Sequence, residues 1–105
     1  MAERITLTED HVVTLKRAVR LRFDKARGIQ TLLAPERVVV LNEASVMILN
    51  ALDGRALGVI LDDFAVKFAA PREVIAGDVL QLLQDFTDKG YLDAKIPLET
   101  PLETK

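Results

Sequence analysis

Few side chains in this sequence are of a type and spacing that does covalent chemistry. The single histidine, His11, has no Ser or Cys at a nucleophile–base spacing. Ser45 falls in the first turn of a candidate helix, where a hydroxyl serves backbone N–H groups and nothing activates it. Asp62 and Asp63 are adjacent, so on a helix they diverge by about 100° and cannot form a metal or acid–base dyad; they read as a solvated face. Asp78, Asp85 and Asp88 share one helical stripe, which fits an outer face or a surface that meets a partner. The five glycines are scattered, with no phosphate-cradling loop. The chain has no cysteine, so no disulfide, thiolate, Fe–S cluster or Cys-based zinc site is built from it. Neither a cofactor nor a metal is expected.

The feature with the clearest physical consequence is Val38-Val39-Val40-Leu41. In a simple meander this segment is an edge strand, and an apolar edge without Lys or Pro protection invites a further strand. Either the protein's own helices cover it or an extended peptide adds to it, with backbone bonds giving affinity and alternate side chains giving specificity.

The flanking elements must position that edge. From Ala18, Val19, Leu21 and Phe23 alternate with Arg20, Arg22 and Asp24, the period of a half-buried strand, and Lys25 to Gly28 forms the turn. A second strand, Ile29 to Leu33, ends at Ala34-Pro35-Glu36, where proline forces a turn. Arg37 to Leu41 is the third, short and β-branched. Asn42 is placed to cap a helix from Glu43 to Leu52, stopped by Asp53-Gly54. The connection Asp53 to Leu57 has the length of a small wing. An apolar stripe predicts a second helix over Leu57 to Ala69, Pro71 separates it from a third over Arg72 to Lys89, and Gly90 suits the left-handed position after that helix. Tyr91-Leu92 folds back onto the core.

The expected fold is therefore α+β and winged-helix-like, a three-stranded antiparallel sheet followed by three helices. Residues 1–16 show no sustained period and read as a flexible arm; residues 17–93 form the domain. Residues 94–105, with a duplicated Pro-Leu-Glu-Thr, read as a disordered tail.

With 105 residues, half of them hydrophobic, the chain makes one modest core and leaves little room for a deep active site. Residues 1–40 hold eight Lys/Arg against five Asp/Glu, and residues 41–105 six against eleven, an asymmetry far short of a nucleic-acid footprint. The acidic later helices also disfavour a winged-helix DNA-binding regulator, the main alternative. No apolar run approaches a bilayer span and no secretory signal opens the chain, so neither a membrane nor export is expected, and the compartment expected is the cytoplasm.

From about Arg20 to Leu92 the chain resembles the PqqD family of pyrroloquinoline quinone (PQQ) biosynthesis, the founding type of precursor-peptide recognition domain. The landmarks are Arg22-Phe23-Asp24, the strand running into Leu41-Asn42-Glu43-Ala44, Ile48-Leu49 followed by Leu52-Asp53-Gly54, and Asp78-Val79 followed by Leu82-Leu83 and Gly90-Tyr91-Leu92. The resemblance implies a domain without catalytic activity, a peptide chaperone that binds the ribosomal precursor peptide PqqA and presents it to the radical SAM enzyme PqqE. It further implies that the peptide adds beside the third strand, in a groove against the third helix. The implied site is Arg37, Val38, Val39, Val40 and Leu41 on the strand and Asp78, Leu80, Gln81, Leu83, Gln84 and Asp85 on the helix. Leu41, Leu80 and Leu83 would line apolar pockets, and Arg37 would orient an acidic group. Residues 1–16 and the duplicated tail lie outside the resemblance.

Overall fold

The chain folds around one face of a meander. In the computed structural model, which describes residues 5–96, strands β2 (Arg20–Asp24), β3 (Ile29–Ala34) and β4 (Arg37–Leu41) form an antiparallel sheet in the order β2-β3-β4. Asp24 pairs with Ile29 and Ala34 with Arg37, so each hairpin closes where the turn residues require. Gly28 sits at φ +69° at the end of the first turn, a conformation that Cβ disfavours. Pairing places Leu21, Leu32 and Val39 in one row. Leu32 is fully buried and Leu41 is buried further along the same face, against the helices.

Those helices are α1 (Glu43–Asn50), α2 (Leu57–Phe68) and α3 (Arg72–Asp88). Asn42 caps α1 as its type and position require, its side-chain oxygen accepting the Ser45 N–H at 2.8 Å. Leu57, Ile60, Leu61 and Phe64 bury one stripe of α2, and Val79, Leu83 and Phe86 bury one stripe of α3. Gly90, at φ +87°, turns the chain back so that Tyr91 and Leu92 enter the core, Tyr91 meeting Phe86 edge-to-face at 5.7 Å. Among the described residues no helix is long and apolar enough to cross a membrane.

The α+β core is thus the one expected, but the domain does not begin at residue 17. Strand β1 (Val12–Leu15) pairs antiparallel with β5 (Leu92–Lys95), a second, two-stranded sheet. The expectation of a flexible arm over residues 1–16 is corrected from residue 5 onward, and the tail expected from residue 94 begins inside β5. The physical reason is the start of α2. Its cap residue, Ala56, has no side-chain oxygen, so the first N–H groups of the helix need other acceptors. The carbonyls of His11 and Glu9 supply them, accepting from Leu57 and Gly58 at 2.9 Å each. Val12 bridges to Ala56, so the segment expected as a wing is instead a turn stitched to the N-terminal residues. Leu7 and Val13 are buried behind these bonds. His11 is a builder of this loop: its Nδ1 accepts the Thr8 N–H at 3.0 Å. The duplicated Pro-Leu-Glu-Thr segment lies outside the described residues.

Asp62 and Asp63 are exposed, as expected of a solvated face, but each is ion-paired. Arg72 bonds Asp62 at 2.7 Å and Glu9 at 2.8 Å, while Arg55 bonds Asp63 at 2.6 Å and Asp53 at 2.9 Å. The Arg72 guanidinium holds the Glu9 carboxyl below the usual carboxylate range, and Arg55 does the same for Asp53, partial desolvation opposing both. A carboxyl whose pKa is lowered by folding stabilises the fold above its unfolded pKa, and loses that contribution as pH falls through its folded pKa. The gap in melting temperature between the parent protein and Arg72→Gln is therefore expected to be widest at neutral pH and to close below the carboxylate range; thermal melts at pH 7 and pH 3 check this.

One helix end departs from its preferred residue. Ala69 ends α2 in the left-handed region at φ 52°, where a Cβ is strained. Ala69→Gly is expected to stabilise the protein by about 0.5–1 kcal/mol in urea denaturation.

Candidate peptide-binding site

β4 is an edge. It pairs with β3 on one side, and among the described residues no strand pairs with its other side. The Pro35-Glu36 connection is two residues long, which closes the hairpin on a bonded Ala34–Arg37 pair; by antiparallel alternation Val39 and Leu41 then face β3 through their backbones, while Val38 and Val40 turn N–H and C=O to the free edge. The side chains alternate with the same period. Arg37, Val39 and Leu41 share the helix-facing side of the sheet, and Val38 and Val40 project from the opposite side, 64% and 62% exposed.

On α3, Asp78, Gln81, Gln84 and Asp85 line one open groove of about 580 Å³ with Leu82, Phe86 and Asp88. No β4 residue lines it; Leu41 instead borders a separate hollow of about 520 Å³ with Asn42, Val46 and Met47. The six helix positions therefore divide. Asp78 and Gln81 are exposed, and Leu80 is half-buried against the core. Leu83 is fully buried, so it is a core residue rather than the wall of a pocket: the helical period that aims it inward also takes it beyond a ligand's reach. Gln84 is already engaged, its Oε1 accepting the Leu7 N–H at 2.8 Å and its Nε2 donating to the Ile5 carbonyl at 2.6 Å. Asp85 pairs with Lys89 at 3.1 Å.

A third hollow, about 260 Å³ and walled by apolar side chains, has no counterpart among the sequence expectations. Met47, Ile48, Phe64, Phe68, Ile75 and Val79 form it, and Asp78 stands at its margin. Helical period marks Met47, Phe64 and Phe68 as inward-facing, but only packing decides that Phe68 stays 45% exposed. Met47 joins this hollow to the one beside Leu41, and Asp78 joins it to the α3 groove. The result is a discontinuous track from the end of β4 to the outer face of α3. No group of His, Asp or Glu among the described residues could hold a metal ion. The surface offers an unpaired backbone edge, shallow apolar hollows and a few carboxylates among the described residues.

The model of the family described as coenzyme PQQ synthesis protein D (PqqD) matches residues 30–92, from β3 to the start of β5. The chain belongs to the PqqD family. Curated relatives extend the match: the PqqA binding protein of Bradyrhizobium diazoefficiens is 42% identical over 89 residues, 84% of this chain and 86% of that protein. That of Gluconobacter oxydans is 42% identical over 87 residues, 82% of this chain and 91% of its own length. The solution structure of the PqqD truncation of Methylobacterium extorquens PqqCD is that of a functional, stand-alone recognition element for ribosomally synthesized and post-translationally modified peptides. It aligns with a TM-score of 0.66 at 35% identity, covering 78% of this chain and 88% of that one. The PqqD match spans β4 and all three helices, the elements that carry the track.

Leu83 separates core from surface on α3. Leu83→Ala is expected to cost about 2–5 kcal/mol of stability, whereas Gln81→Ala, at an exposed groove position, is expected to stay within about 0.5 kcal/mol of the parent; chemical denaturation of both variants checks the division.

Proposed function

We propose that this protein is a non-catalytic, cytoplasmic peptide chaperone of PQQ biosynthesis, which binds the precursor peptide PqqA by strand addition to β4 and presents it to the radical SAM enzyme PqqE. The observation that carries the reading is the β4 edge, unpaired among the described residues, apolar and free of Lys or Pro, beside a track of shallow hollows. The relatives' names as PqqA binding proteins support the choice of peptide.

In this reading the backbones of Val38 and Val40 bond the incoming strand. Peptide side chains on the helix side meet Val39, Leu41 and the hollow beyond them, and Leu80 adds apolar surface from α3. Arg37, exposed and without an ion pair among the described residues, orients an acidic group of the peptide. Asp78, Gln81, Gln84 and Asp85 receive polar or cationic groups further along. Gln84 already bonds backbone groups of Ile5 and Leu7, the type of contact a bound peptide would make. The acidity of α3 favours a peptide over DNA, since Arg72 is committed to Glu9 and Asp62.

Proline substitutions test the edge directly. Val40→Pro removes an outward N–H and is expected to leave the fold intact while weakening PqqA binding at least tenfold. Val39→Pro removes a bond to β3 and is expected to lose about 3 kcal/mol of stability. Amide shifts followed during PqqA titration locate the site; a folded Val40→Pro variant that binds PqqA as the parent does would exclude strand addition.

A further inference from the structure

The side of the sheet that faces away from the helices has a composition of its own. Register assembles it into two cross-strand rows, Arg20–Leu33–Val38 and Arg22–Thr31–Val40. Each row is cationic at the β2 end and apolar at the β4 end. Arg20 and Arg22 are exposed, and among the described residues neither side chain forms an ion pair or hydrogen bond. Asp24, the acidic residue on the same side, is already paired with Arg27 at 3.8 Å and accepts the Ala26 N–H at 3.0 Å. The solvent side of an antiparallel sheet ordinarily carries polar residues. Here two valines stand exposed on the β4 side of it and two uncompensated charges on the β2 side, with Leu33 and the buried Thr31 of β3 between them.

A strand added to β4 lengthens these rows. Successive side chains of the added strand alternate between the two faces, so every second one projects on this side, directly beside Val38 and Val40. The peptide would then be held by its backbone and half displayed, on a surface continuous with the two valines and two arginines.

We infer that this helix-free face, together with the outward side chains of the bound peptide, docks a carboxylate-bearing, partly apolar surface of the protein that modifies the peptide. The inference rests on the strand-addition reading above. Charge complementarity selects the partner: Arg20 and Arg22 take carboxylates, and Val38 and Val40 take apolar side chains at the β4 end. A nucleic acid would need cations along the whole face and aromatic platforms for bases, and valine offers neither.

The test uses the full chain, PqqA and PqqE. Arg20→Glu/Arg22→Glu, and the milder Arg20→Gln/Arg22→Gln, are compared with the parent for PqqA affinity and for capture of the peptide-bound protein by PqqE, with amide spectra as the check on folding. Both variants are expected to bind PqqA within twofold of the parent. Capture by PqqE is expected to fall at least tenfold in the charge reversal and less in the neutral variant, and to lose its salt dependence in both. Unchanged capture by folded variants overturns the inference alone. A parent protein that binds PqqA but is not captured by PqqE overturns presentation and this inference together, and one that does not bind PqqA overturns the strand-addition reading itself. Duplex DNA binding that the reversal abolishes, with PqqE capture unaffected, overturns it in favour of a nucleic-acid surface.

Discussion

The three-stranded sheet has one apolar face to bury, and where its cover is placed governs the rest of the molecule. Leu32 and Leu41 demand cover, so α1, α2 and α3 all gather on their side. Among the described residues no element closes the sheet into a barrel or packs on its other face. Two edges and one face therefore stay open, and the residues on them decide what the protein can meet. The edges are treated differently. β2 exposes Arg20 and Arg22 beside Phe23, charges that discourage pairing, whereas β4 exposes Val38 and Val40 beside a single Arg37. The two edges thus differ in character, arginines standing on β2 and valines on β4, and the strand-addition proposal rests on that difference.

The N-terminal residues serve the same economy. α2 begins at an alanine that cannot cap it, and the helix would start with unsatisfied donors if Glu9 and His11 were not laid across it. Arg72 then ties Glu9 to α3 and Asp62, so the start of the chain, α2 and α3 are fastened at one corner. The ion pairs are exposed and individually weak; their worth lies in the register they impose on a segment that buries only a few side chains, Leu7, His11 and Val13 among them.

Elements whose partners are close in sequence are legible from residue order alone. The alternation of Val19, Leu21 and Phe23, the proline turn and the helical stripes place β2, β3, β4 and the three helices to within a few residues. β1 and β5 are not legible in this way, because each is four residues long and finds its partner at the far end of the chain; a run such as Val12–Leu15 has no local period to announce it. Period also assigns a side without saying whether anything covers it. Phe23 shares the inward side with Leu21 yet is 49% exposed. The same limit applies at the site. The β4 edge follows from strand order, but period alone cannot tell Leu83 from a pocket wall or reveal the Met47–Phe68 hollow, because neighbours on other helices decide both.

The pairing of β1 with β5 sets an order on how the molecule comes into being. The β2–β3–β4 meander and the α2–α3 pair need only neighbouring residues and can form early, while Val12 must wait for Lys95 and Leu15 for Leu92. On a ribosome, the first strand to emerge is among the last to be satisfied, and until β5 appears both β1 and the far side of β4 are open edges on the same nascent chain. From the moment β4 emerges until β5 does, the nascent chain thus carries two open edges, and the late β1–β5 pairing is what closes one of them.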